Sequence, residues 1–160
     1  MPYGVEIEID TRDVEREWLQ GVEDLMNEVH QGTKAAIGIG ATQARLSAAF
    51  QDRSGKLRAS IRGVIKVAQT NRVRGELQAG VSPRARYASF VEEGTSPHTI
   101  EGNPLLTFKL PDGTWVSTRK VQHPGTRPMF FMRAGAAAAD RTLTRAVDRA
   151  ISRLKGRMEG

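Results

Sequence analysis

From Gly80 to Ala134 turn-forming residues cut the chain into pieces too short for anything but a small helix and hairpins. Ser82-Pro83 reads as a helix start, with Ser as N-cap and Pro in the first helical position. Gly94 is placed to end that helix. Between them Tyr87, Phe90 and Val91 stand at i, i+3 and i+4, share one face and predict a packed core position. Pro97, Gly102 and Pro104 punctuate Thr95 to Pro104, which reads as a loop that is mobile until it meets a partner. Pro111-Asp112-Gly113 separates Leu106–Leu110 from Thr114–Thr118 and predicts a projecting antiparallel hairpin, with Phe108 and Trp115 available for contacts. His123-Pro124-Gly125-Thr126-Arg127-Pro128 forms the last turn.

The flanks carry longer periods. Val5, Ile7 and Ile9 alternate with acidic residues and predict a short strand with one wet face. Asp10 or Thr11 can cap a following helix, with Asp13 and Glu15 favourable in its first turn. Val14, Trp18, Val22, Leu25 and Val29 form an apolar stripe that continues weakly through Ala36, Ile39, Leu46 and Phe50. Gly32, Gly38 and Gly40 interrupt it, each costing about 1 kcal/mol in a helix interior. Residues 11–51 are therefore one kinked helix or two helices broken near Gly38–Gly40. Asp52-Arg53-Ser54-Gly55 reads as a turn, and Leu57 opens an alternating strand towards Val67. A turn at Thr70-Asn71-Arg72 leads into a strand whose apolar face is Val73, Leu77, Ala79 and Val81, and the two pair as a hairpin. A long helix fills Met129 to about Arg157. Leu143, Val147, Ala150, Ile151 and Leu154 form its buried face, and the small residues of Ala134–Ala139 permit close helix-to-helix approach. The fold class is α+β: a long N-terminal helix, a twisted antiparallel sheet with hairpins, a short central helix and a long C-terminal helix.

The 160 residues fit one domain, 1–160. Hydrophobic content of 39% and aromatic content of 6% leave room for subunit contacts to complete the burial, which favours an oligomer. With no cysteine, disulfide frameworks, thiolate metal sites and cysteine nucleophiles are excluded together. A net charge of +6 permits contact with nucleic acid or another acidic surface without demanding it. No apolar run reaches the roughly 20 residues of a membrane span. The start, Met1 to Glu6, lacks the pattern of a signal peptide, so the expectation is a protein made and used without export.

Candidate chemistry is sparse. His30, His98 and His123 lie far apart in sequence, with no ligand at helical spacing, although Glu101 follows His98 by three residues in a loop, and the default reading is a satisfied loop histidine. Ser54-Gly55-Lys56 and Gly38-Ile39-Gly40 lack the full spacing of phosphate-binding loops and read as a turn and a helix interruption. Glu92 and Glu93 are adjacent on a helix, about 100° apart, so they do not converge on one substrate. They predict a pairing with a basic residue across a subunit or hairpin contact, or a solvated helix end. Arg141, Arg145, Arg149 and Arg153 recur every four residues and wind slowly, about 40° per step, around the last helix. That stripe faces DNA phosphates, an acidic neighbour or solvent. No catalytic residue, cofactor or metal site is expected.

Three blocks carry a family resemblance. Gly55-Lys56-Leu57-Arg58-Ala59-Ser60-Ile61 is followed by Tyr87-Ala88…Val91-Glu92…Gly94-Thr95 and then His123-Pro124-Gly125…Pro128-Met129-Phe130…Ala134. In that order they resemble the tail-completion or neck proteins of long-tailed bacteriophages. The glycine-rich Gly38–Gly40 region and the arginine-rich end depart from the pattern. The resemblance implies a non-enzymatic virion protein, made in the bacterial host cytoplasm. It implies a homo-oligomeric ring, six-fold or a multiple of it, in the neck, joining the tail to the head-closure complex. Its partners are then head-closure and tail-terminator or tail-tube proteins, with genomic DNA passing through the lumen and no membrane. His98 and Ile100 of the loop, and Pro111, Asp112, Gly113 and Trp115 of the hairpin, are the expected partner contacts. The arginine stripe is the expected DNA or subunit contact. The alternative is a non-enzymatic DNA-binding protein acting through the basic C-terminal helix.

Overall fold

Two long antiparallel helices form the spine, and their contact is made by residues with almost no side chain. The computed structural model describes residues 11–81 and 85–159. The expected strand around Val5–Ile9 and the Ser82-Pro83 helix start lie outside them. Helix α1 spans Arg12–Leu46 and the last helix, α4, spans Phe131–Met158. A Cβ built on Gly21 would come 2.7 Å from Leu154 Cδ1, one on Gly32 2.6 Å from Ala146 Cβ, and one on Gly40 2.7 Å from the Gly135 carbonyl oxygen. The partners run in opposite directions along the two helices, so the pair is antiparallel. Of the glycines that interrupt the apolar stripe, Gly32 and Gly40 thus belong to a packing seam, whereas Gly38 faces open space. Of the two readings of residues 11–51, a single helix to Leu46 is the observed one. The small run Ala134–Ala139 provides the close approach expected of it, with Gly135 and Ala138 buried.

The same seam displaces the expected stripe. The buried residues of α1 are Gly21, Thr33, Ala36, Gly40, Ala41 and Ala44, whereas Val14 and Trp18 are exposed. Gly21 lies opposite Leu154 and α4 ends at Met158, so the first two turns of α1 meet only the last turn of α4, across an open cleft lined by Val14, Trp18, Leu154 and Met158. On α4, Ala146 and Ala150 are buried while Ile151 is exposed.

The core proper sits where α1 ends. Phe50 and Phe131 pack with ring centroids 4.6 Å apart, against Leu57, Ile61, Ala41, Ala44 and Ala88. Leu57 is buried from a short helix, α2 (Lys56–Ser60), and Ile61 from the residue that caps its end, where the alternation predicts a strand. The turn before it supplies the reason. The Asp52 carboxylate accepts Arg58 N–H at 2.7 Å, and Ser54 Oγ accepts Lys56 N–H at 3.4 Å. These groups satisfy N–H donors that a helical turn leaves open. Leu57 and Ile61 then meet as an i, i+4 pair, a spacing that strand and helix share.

Strands β1 (Arg62–Gln69) and β2 (Arg72–Gln78) pair antiparallel, with an irregularity between Ile65 and Val67. This hairpin lies across α1, with Gly63 and Gly75 both against Ile37. Helix α3 (Ala88–Glu93) is short and closes at Gly94, whose φ is 73°. Strands β3 (His98–Lys109) and β4 (Trp115–His123) form a second antiparallel hairpin, separate from the first. The segment Thr95–Pro104, read as a loop, is therefore mostly strand. Its prolines are accommodated because Pro97 precedes the strand. Pro104 falls in the register shift between Glu101 and Leu106, where the ladder is interrupted and a missing N–H costs nothing.

Candidate assembly surfaces

The sequence blocks around Glu92 and Gly125 are one physical unit. Thr95 and Thr126 exchange both backbone hydrogen bonds, each at 3.0 Å, and their hydroxyls lie 3.2 Å apart. Gly94 presses on the Thr126–Pro128 backbone and Gly125 on the Thr95–Pro97 backbone, both with positive φ, so neither position has room for a side chain. The chain then turns into α4. Met129 N–H donates to the Val91 and Glu92 carbonyls, and Phe130 N–H to Glu92. The buried Glu92 carboxylate accepts Met132 N–H at 2.8 Å and Arg133 N–H at 3.1 Å. It caps α4, whose own N-cap residue, Phe130, makes no side-chain cap bond. Glu93 instead pairs with Arg133 at 3.0 Å on the surface. Of the two glutamates, Glu93 thus makes a pairing with a basic residue, within the chain and at a solvated helix end, whereas Glu92 is a buried helix cap.

The block Gly55 to Ile61 is equally occupied. The Arg58 guanidinium lies 4.4 Å over the Phe50 ring and donates to the carbonyls of Ser47 at 2.9 Å, Phe50 at 3.0 Å and Arg45. Ser60 Oγ donates to Leu57 O and accepts Gly80 N–H. Burial pushes the Asp52 carboxyl up, but backbone N–H bonds from Arg58, Ser54 and Gly55 outweigh it and hold the group below its usual range.

What remains exposed is the β3–β4 ribbon, an apolar concavity and one face of the helix pair. The ribbon packs mainly on itself. Its turn forms at Pro111-Asp112-Gly113 as expected: Leu110 N–H donates to Thr114 O at 2.8 Å, and Gly113 has φ 91°. Asp112 Oδ1 accepts Thr114 N–H at 2.9 Å, which holds the carboxyl below its ordinary range. Trp115 beside the turn is 68% exposed, and Leu105 and Leu110 are exposed too. Ile100 pairs with Val121 near the other end of the ribbon and is half-buried. There His98 and His123 are cross-strand partners with ring centroids 5.0 Å apart. Their separation in sequence hides this pairing; the strand register that creates it is set by the Thr95–Thr126 bridge. His98 Nδ1 meets Ser96 O at 2.9 Å, and His123 Nδ1 accepts Gly125 N–H at 3.1 Å. Among the described residues no group of three His, Cys, Asp or Glu is placed to hold a metal.

The concavity beside the histidines measures about 950 Å³ and includes Phe50, Tyr87, Phe90, Val91 and Met129 in its lining. Phe90 is 61% exposed and Tyr87 is partly exposed, so the expected core assignment of this cluster is corrected. Helix α3 starts only at Ala88, and its buried face is Ala88 and Glu92, which leaves Phe90 outside.

On the helix pair, the arginine stripe divides. Arg153 pairs with Glu28 of α1 at 2.7 Å, and Arg157 continues the row with Asp24, whose carboxyl it holds below the usual range. Arg141, Arg145 and Arg149 are exposed and have no ion-pair partner among the described residues. Among those residues no helix is long and apolar enough to cross a membrane.

Comparison with known proteins places this arrangement. No curated protein and no solved structure matches the chain. A family model does, over residues 11–94, just over half of the chain; its description reads "Bacteriophage HK97-gp10, putative tail-component". That span runs from the first turn of α1 to the glycine that closes α3, and it contains the Gly55–Ile61 knot and the Glu92 cap. The chain belongs to the HK97-gp10-like family of bacteriophage tail components.

Proposed function

We propose that the protein is a structural, non-catalytic component of the phage neck. Residues 1–160 act as one domain, and its copies form a closed ring that joins the tail to the head-closure complex and lets the genome pass. The observation that carries this reading is how the sequence blocks are spent. Arg58, Ser60, Glu92 and Thr95 are consumed in holding backbone, and the paired glutamates that resemble an acid–base site are a helix cap and a surface ion pair. The groups left for function are exposed surfaces: the ribbon with Trp115, the concavity under Phe90 and the outer face of the helices. Surfaces of that kind suit repeated contact with copies and partners. A head-to-tail contact between identical subunits closes into a ring when the rotation permits. One ring face then meets head-closure proteins and the other tail-terminator or tail-tube proteins, with the ribbon among the contacts.

Native mass spectrometry and cryo-electron microscopy of the purified full chain test the reading. A closed ring has many times the mass of the 17.6 kDa subunit and shows a central opening. A protein that stays monomeric at every concentration, and also in the presence of purified neck partners, overturns it.

A further inference from the structure

The two charged rows on the helix pair are out of step. On α1, Asp13, Glu17, Asp24 and Glu28 fall within an arc of about 60° at 100° per residue. On α4, Arg141, Arg145, Arg149, Arg153 and Arg157 follow the four-residue step. The rows meet where Glu28 holds Arg153 and Asp24 holds Arg157, so both lie on the same face of the pair. Beyond that zipped section each row overshoots the other. α4 ends at Met158, and among the described residues Glu17 has no ion-pair partner, while Asp13 has only the exposed Arg16 of its own helix. At the other end Arg149 lines a cleft with Asn27, Glu28, Gln31, Gly32 and Ala35 of α1, whose one acid, Glu28, is already held by Arg153, and Arg145 and Arg141 continue the row. The chain thus carries an acidic overhang at one end of this face and a basic one towards the other. Both step by four residues, about 6 Å.

We infer that these overhangs dock copies to one another: Arg141, Arg145 and Arg149 of one subunit seat on the Asp13–Glu17 end of α1 in the next. This rests on the ring reading and names the surface that closes the ring. Charge complementarity is the first support. The second is what accompanies the acidic end: Val14, Trp18 and Leu19 stand exposed there at 67%, 48% and 67%, although Val14 and Trp18 share a cleft with the last turn of α4, which leaves them uncovered. A tryptophan beside carboxylates, met by guanidinium groups, has the composition of an interface anchor. Duplex DNA is the less favoured occupant, because phosphates laid along this face would also meet Glu17, Asp13 and Asp148. Two overhangs at different ends of one face make a head-to-tail contact, the type that rings require.

The test uses two charge-reversal variants of the full chain. Arg145→Glu with Arg149→Glu makes the basic end acidic; Asp13→Lys with Glu17→Lys makes the acidic end basic. All four positions are exposed, so circular dichroism should match the wild type. Each variant alone should associate at least about ten-fold more weakly, because like charges then face each other. An equimolar mixture of the two, which restores opposite charges at every contact, should assemble to the wild-type mass. Wild-type assembly that both variants retain overturns this inference and leaves the ring standing. A wild type that never assembles overturns the ring reading itself. If Arg145→Glu with Arg149→Glu assembles normally but loses salt-sensitive retention on duplex DNA, the stripe serves phosphates instead. A species that stops at two subunits overturns the head-to-tail geometry.

Discussion

Glu92, on a six-residue helix, caps a helix that begins about forty positions later: its two carboxylate oxygens take Met132 N–H at 2.8 Å and Arg133 N–H at 3.1 Å. The site is buried, the acceptor is charged, and the donors sit at the positive end of the α4 dipole. Glu92→Ala should therefore cost about 1–3 kcal/mol in urea unfolding, combining a lost cap with two unsatisfied donors. Glu93→Ala, which removes only the exposed pair with Arg133, should cost under about 1 kcal/mol. Equal losses for the two variants would reject the cap.

Three glycines of the helix pair should respond in opposite directions to the same substitution. Gly38 is exposed on α1 with nothing within 4 Å of a built Cβ, so Gly38→Ala should stabilise by roughly 0.5–1 kcal/mol through helix propensity alone. Gly40 and Gly135 have each other's backbone carbonyls at 2.7 and 2.6 Å from that same point. The propensity gain there is outweighed by overpacking of about 1–3 kcal/mol. Thermal unfolding of Gly38→Ala beside Gly135→Ala reads the sign directly.

Arg58 joins a cation–π contact to donation into the carbonyls that close the loop after α1. Arg58→Lys keeps the charge but loses the planar fork, and should cost roughly 1–3 kcal/mol. The neighbouring Asp52 adds a pH signature. Its folded pKa is depressed, so its contribution is present above the unfolded value, near 3.8, and is lost as pH falls through the lower folded value. Asp52→Asn should be less stable than wild type at neutral pH and should lose less on acidification below about pH 4. Parallel acid titrations of the two proteins would contradict this.

Much of the architecture is legible in the sequence: the two long helices, both hairpins, the Pro111-Asp112-Gly113 turn and the closing Gly94. What fails does so for two physical reasons. Leu57 and Ile61 stand four apart, a spacing shared by alternation and by one helical turn, and the Asp52 and Ser54 side chains decide for the helix by satisfying its first donors. Phe90 and Trp18 have the right helical spacing for burial, but spacing says nothing about whether a second element reaches that far. α4 ends beside Trp18 and leaves it in an open cleft, and α3 turns Ala88 and Glu92 inward instead. The candidate assembly surfaces are legible only in part. The arginine period is visible in the chain, whereas its offset against the acidic row and the His98–His123 pairing exist only once distant segments meet.

That distinction between spacing and burial can be measured on two aromatic residues. Phe131 is fully buried against Phe50, and Phe131→Ala should cost roughly 3–5 kcal/mol. Phe90 is 61% exposed, and Phe90→Ala should change stability by less than about 1 kcal/mol. A Phe90 variant as unstable as the Phe131 one would restore Phe90 to the core.

The ribbon turn gives the last prediction. Trp115 lies opposite Lys109 in the register, next to a turn held by the Leu110–Thr114 bond and the Asp112 side chain. At 68% exposure it gives the fold little burial, so Trp115→Ser should leave the unfolding midpoint nearly unchanged. Desolvated tryptophans are among the costliest interface residues to truncate. If the ribbon engages a copy or a neck partner, Trp115→Ser should weaken that association by about 2 kcal/mol or more while the monomer stays folded. Removing Lys109–Thr114 should act in the same direction, because the deletion takes the turn and leaves the Thr95–Thr126 bridge and the Glu92 cap intact. Sedimentation velocity on the subunit alone and with its partners separates the cases. Unchanged association in both variants would mean that the ribbon is not a contact, and would shift that role to the concavity beneath Phe90.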